Sequence, residues 1–198
     1  MTKHTEGQDV GLVETVKEGI VSTIEGTGDV AGAMVDTVSK TVAKTIGGIG
    51  NIAGSLVSAT SQVAQGTIHA AVEVGGDLGD AAKGVVLGVL RGTKNAGDAG
   101  LQAIGHTAES VIKTTASTAG DLGSAAKGLV EGAVEGAREV GLDTAQAASA
   151  AATGALRAAG EVGSEAGSQV RQAVSGTIAG VRVVLKEPLK SDGSKTQH

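Results

Sequence analysis

Charge placement is the feature that most constrains this chain. Between Val13 and Leu185 there are 29 Asp, Glu, Lys and Arg residues. Number the sequence in elevens from Val13 and letter the positions a to k. All 29 then fall on b, e, f, i or j. At about 98° per residue, those five positions form one continuous arc of an α-helix. The other six positions hold Val, Ile, Leu, Met, Ala, Gly and Thr, with Gln169 as the exception. A strand, with its period of two, cannot produce this pattern.

A longer period lies over the eleven. The phrase GGDLGDAAKGVVLG begins at Gly75 and returns as AGDLGSAAKGLVEG at Ala119, 44 residues later, with fainter copies at Ala31 and Gly163. The a track reads Val13, Ile24, Val35, Ile46, Val57, Ile68, Leu90, Leu101, Ile112, Val134, Leu156 and Ile178, interrupted by Gly79, Gly123, Ala145 and Gly167. A second track places Val42, Val86, Val130 and Val174 at intervals of 44. These two tracks are the expected core. The phase never slips, whereas turns usually reset it. The expectation is therefore an all-α chain formed by one very long, nearly uninterrupted hendecad helix, about 250 Å if straight, with a straight or right-handed coiled-coil path. Several long hairpinned helices are the alternative, with turns at Gly47–Gly48 and Gly75–Gly76. Residues 1–10 read as a polar tail, 11–187 as the helical repeat, and 188–198, opened by Pro188, as a disordered polar tail.

The chain has 33 glycines, and each costs a helix about 1 kcal/mol relative to alanine. Burial against a partner must offset this, so order is expected only in an assembly. Two glycine triplets recur after 44 residues: Gly84, Gly88, Gly92 and Gly128, Gly132, Gly136. Such stripes let backbones approach closely. Bulky residues flank the apolar arc on both sides, which suits a helix with two neighbours. Track e is basic (Lys17, Lys83, Lys94, Lys127, Arg138, Arg171, Arg182) and track j is mostly acidic (Asp77, Asp121, Asp143, Glu165). In a parallel array the basic edge of one helix would meet the acidic edge of the next, a contact that closes a ring or propagates.

Composition narrows the chemistry. Net charge is −5 and there are no aromatic residues, so neither an electrostatic grip on nucleic acid nor base stacking is expected. With no cysteine there is no thiolate chemistry. His4, His69, His106 and His198 show no metal-ligand spacing. GGIGNIAG lacks the Lys-Ser/Thr of a phosphate loop. No catalytic, cofactor-binding or metal-binding residue and no small-molecule substrate is expected, and the chain reads as non-enzymatic. No signal-peptide run or membrane-length apolar run is present, which points to the cytoplasm or to a peripheral position on a lipid surface.

The eleven-residue pattern resembles three groups. TVKEGIV at Thr15–Val21 is similar to the synuclein repeat. The Thr-rich apolar face resembles the perilipin hendecads. DTAQAASAAATG and GDLGSAAKG look like group 3 late embryogenesis abundant proteins. The expected function is a self-assembling structural protein, a parallel homo-oligomeric bundle, barrel or filament whose partner is itself. The resemblances imply two alternatives: an amphipathic coat on membranes or lipid droplets, and a stress protectant.

Overall fold

A computed structural model describes residues 6–27, 30–47, 52–94 and 98–185. Among them the chain forms eight α-helices: α1 (Glu6–Thr27), α2 (Val30–Gly47), α3 (Ile52–Glu73), α4 (Leu78–Gly92), α5 (Asp98–Ser117), α6 (Leu122–Val140), α7 (Thr144–Val162) and α8 (Ser164–Val174). A short hairpin follows, β1 (Thr177–Ile178) and β2 (Val181–Arg182). The all-α expectation holds, but the single long helix does not. The stretch assigned to an N-terminal tail includes the start of α1 at Glu6, and helix gives way to extended chain after Val174. The Pro188 stop and the C-terminal tail lie outside the described residues.

The turns hide in the sequence for a definite reason. Successive helices start about 22 residues apart, as at Val30 and Ile52 or Leu122 and Thr144. A helix plus its turn therefore fills two hendecads, and folding back leaves the phase untouched. The period of 44 is one pair of helices.

Three turns share one chemistry. Gly75, Ala119 and Gly141 have left-handed φ values of 66°, 54° and 77°. The residue after each donates its N–H five positions back: Gly76 to Ala71, Gly120 to Thr115 and Leu142 to Ala137, at 2.8–2.9 Å. This closure satisfies carbonyls left over at a helix C-terminus. An aspartate comes next and caps the following helix. Asp77 accepts from the Asp80 N–H at 2.9 Å, Asp121 from Gly123 and Ser124 at 2.8 and 3.0 Å, and Asp143 from Gln146 at 2.8 Å. The repeated phrase is thus a turn, a cap and the first turns of an even-numbered helix.

The helices stack in two layers. Extensive contacts join alternate helices: α1 to α3, α3 to α5 and α5 to α7 in one layer, α2 to α4 and α4 to α6 in the other. Helix α8 adds to the second layer against α6 and also packs on α7. Helices within a layer run parallel, and short turns fold each helix back against its predecessor.

The core lies between the layers and is made of small residues. Ile20, Met34, Ile68, Leu90, Ile104, Ile112 and Leu129 are its largest members, all fully buried. Helix α7 contributes almost only alanine: Ala147, Ala148, Ala151, Ala152, Ala155, Ala158 and Ala159 are each 0% exposed. Threonines enter the core by returning their hydroxyls to the preceding turn, as Thr67 does to Val63 and Thr107 to Ala103. The apolar arc that predicted partner chains is therefore buried largely within one chain.

Candidate functional site

The repeated structural event is a seam between same-layer helices, where a glycine of one helix sits on the backbone of the helix two before it. This closeness requires glycine, because a methyl group would collide with backbone. A Cβ on Gly132 would lie 2.5 Å from the Lys83 carbonyl oxygen, and one on Gly88 2.9 Å from that of Val35. A Cβ on Gly92 would lie 3.0 Å from the Ser39 oxygen, and one on Gly66 2.7 Å from that of Val13. Gly128 over Gly79 and Gly154 over Gly105 are closer still. Gly136 rests on the side chains of Leu87 and Leu90, and Gly84 is buried in α4. All six glycines singled out from the sequence lie in α4 or α6.

Of the expected core, Val35, Ile68, Leu90, Ile112, Val134 and Ile178 on track a are buried, as are Val42, Val86, Val130 and Val174. Val13, Val57, Leu101 and Leu156 are half-buried. Ile24 and Ile46 lie outside the residues whose side chains are described. Ile178 is in β1 rather than a helix.

The acidic edge marks the starts of helices. Asp77, Asp121 and Asp143 recur because helix starts recur, and each is a cap. Glu165 sits in the first turn of α8, where a carboxylate also suits the helix dipole. Two basic residues instead reach glutamates one helix along their layer: Lys17 to Glu73 at 3.1 Å and Lys83 to Glu135 at 2.7 Å. Lys127 pairs at 3.8 Å with Glu131 of its own helix. Arg138 and Arg171 occupy last turns of α6 and α8, Lys94 follows α4, and Arg182 is in β2.

The sequence reading missed the ion pairs that lace each layer. Arg91 grips Glu139 through two hydrogen bonds of 2.7 and 2.9 Å, Arg157 grips Glu109, and Lys113 meets Glu161 at 2.8 Å. The partners in each pair stand 48 residues apart, one superperiod plus one helical turn, and that spacing was the available signal. The Arg91 guanidinium holds the Glu139 carboxyl below the usual carboxylate range, and Lys113 does the same to Glu161. The Ser124 N–H and hydroxyl, with the Gly123 N–H, lower Asp121. Hydrogen bonds to glutamate raise Lys17, Lys83 and Lys113.

A groove of about 660 Å³ lies between α5 and α7, with Gln102, His106, Glu109, Gln146, Thr153 and Arg157 among its lining. Its strongest charges neutralise each other through Arg157 and Glu109. Among the described residues no group of three His, Asp or Glu side chains is placed to hold a metal ion. No described helix is long and apolar enough to cross a membrane. No protein-family model matches this chain, and neither does any curated protein.

Proposed function

We propose that this chain is a non-enzymatic structural protein whose working part is the helical stack and its ends. The observation that carries the reading is the glycine seam. Gly66, Gly88, Gly92, Gly128, Gly132 and Gly154 are costly to a helix and sit where close approach to a neighbouring backbone gives them a use. Each seam joins helix n+2 to helix n in parallel, a heterologous contact of the kind that continues until something stops it. The apolar arcs are buried inside one chain, which leaves the stack ends as the surfaces for a further copy.

Sedimentation velocity with circular dichroism tests this. The expected result is a compact, helical 19.1 kDa particle. Any association should respond to substitutions at the stack ends and not to charge reversal of Lys83, Lys94, Lys127 and Arg138. An expanded chain without helix in water would refute the reading.

One observation favours a second reading, a coat on a lipid surface. The polar arc runs unbroken through the turns, so a chain opened into a continuous helix would show a lipid surface one apolar face. Deuterium exchange at Leu78 and Leu122 with neutral-lipid emulsion separates the readings. These amides open α4 and α6 and have no intrahelical acceptor in the stack, so they become protected only if the turns straighten into a continuous helix.

A further inference from the structure

We propose that the C-terminal segment 177–185 covers a docking face on α7 for the α1 helix of a second copy of this chain. The inference rests on the structural reading above and concerns what limits the stack.

The argument starts from one contact in the odd layer. Ser110 of α5 donates to Ser61 of α3 at 2.8 Å. One superperiod on, Gly154 of α7 sits over Gly105 of α5. The receiving positions are thus 61 and 105, and the arriving positions are 110 and 154. The next receiving position, 44 residues further, is Ser149 on the outer side of α7. The arriving series runs back through Gly66, which sits over α1, to Ser22 of α1. Ser22 is exposed. Placed on Ser149 of another copy, it would repeat the Ser61–Ser110 contact with helices running in the same sense.

Ser149 is already occupied. Its hydroxyl donates to the Val184 carbonyl at 2.5 Å, and Val181, Val183 and Leu185 pack half-buried against the core. Segment 177–185 therefore stands where the next odd-layer helix would begin to pack. Its hold is slight. Each strand has two residues, joined by Ala179 and Gly180 at φ values of 50° and 81°, and one more bond runs from the Val183 N–H to the Gly176 oxygen. So small a hairpin depends on the surface beneath it, and an element with few contacts opens locally at low cost.

The even layer has its own stop. Lys40 and Lys44 stand 44 residues before Gly84 and Gly88. Helix α2, which has no preceding even-layer helix, thus carries lysines where α4 carries the buried Gly84 and the seam glycine Gly88. Lys40 is solvent-exposed and pairs with Asp36 at 3.8 Å. Growth through the odd layer is consequently the route left open once the hairpin lifts.

The test uses the full-length chain with the hairpin released in two independent ways. Ile178→Asp puts a carboxylate at a position 7% exposed, and Gly180→Val puts a β-branched residue at φ +81°. Sedimentation velocity across a concentration range is expected to show the weight-average mass rising roughly twofold or more in both variants. Adding Ser22→Arg to either should return it to the monomer. Variants that keep their helix content and lose exchange protection at Val183, yet stay monomeric, overturn the proposal. So does association indifferent to Ser22→Arg. Those outcomes leave the structural reading standing, whereas an expanded, unfolded parent chain would end that reading itself.

Discussion

Gly132→Ala should destabilise the protein even though alanine is the better helix former. Gly132 lies inside α6, and a Cβ there would meet the Lys83 oxygen at 2.5 Å, its Cα at 3.0 Å and its carbonyl carbon at 3.1 Å. All three atoms are backbone within α4, so no rotamer change relieves the collision. Restoring ordinary contact requires the α4–α6 seam to open by about 0.9 Å, enough to forfeit a quarter to a half of the dispersion at neighbouring contacts. Overpacking of this kind costs about 1–3 kcal/mol. The gain in helix propensity is about 1 kcal/mol, and lost contacts at Gly128 and Gly136 add to the cost. A net loss of about 2 kcal/mol lowers Tm by about 4–8 °C in a chain of this size. Gly160→Ala is the matched control. It lies inside α7, is exposed, and has nothing within 4 Å of its Cβ position. It should gain about 0.5–1 kcal/mol. The assay is thermal and urea unfolding followed by far-ultraviolet circular dichroism, since the chain has no aromatic residue to report by fluorescence. If both substitutions shift Tm in the same direction, the seam does not depend on backbone approach and the reasoning fails.

Asp121→Ala removes the acceptor for two N–H groups and should cost about 1 kcal/mol, with Asp121→Asn retaining most of the stability; urea titration of the pair checks this. Breaking the exposed Arg91–Glu139 pair by Arg91→Ala should cost no more than about 1 kcal/mol, and less at high salt; a larger, salt-independent loss would mean that the pair sets the α4–α6 register. Asp121, Glu139 and Glu161 have lowered pKa values in the folded chain, so their contribution is complete above the ordinary carboxylate range and is lost as pH falls through the lowered values. Lys17, Lys83 and Lys113 are raised, so theirs is complete below the ordinary lysine value and is lost as pH rises through the raised ones. Chemical denaturation against pH should show a plateau between these limits, and a stability maximum below pH 4 would refute the assignment of the carboxylates.

The sequence states which face of each helix is buried and which residues are small enough for a seam. Gly128 and Gly132 were legible as close-packing positions because their triplet recurs, and Val42, Val86, Val130 and Val174 as core because they share a track. The turns were legible only in part: the glycine pairs at Gly47–Gly48 and Gly75–Gly76 marked the end of α2 and the turn before α4, whereas no glycine pair marked those at Ala119–Gly120 and Gly141–Leu142. A hydrophobic period reports rotation about a helix axis, and a 22-residue unit restores that rotation after every fold-back. Aspartate carried the missing information at Asp77, Asp121 and Asp143. Read by track these residues form an acidic edge, and read by their neighbours they form a left-handed residue, a spacer and a cap. The ion pairs were hidden for a related reason. Arg91 and Glu139 differ by a superperiod plus one turn, so parallel neighbours in a layer are offset along their axes, and a search at 44 alone steps past every such pair.

The same offset explains why one motif can build a stack of fixed length. Interior helices need a glycine or serine on the arriving side and an open receiving side, and α4 and α5 each meet that need. The ends must break it, because a repeat that satisfies both sides everywhere has no reason to stop. At the even-layer start, Lys40 and Lys44 replace the small residues with long charged ones. At the odd-layer finish, the chain changes from helix to hairpin and spends Ser149 on its own Val184 carbonyl. The first device is built into a helix and cannot be moved without unfolding it. The second is held by a handful of contacts, so the end at α7 is where this stack can change its length.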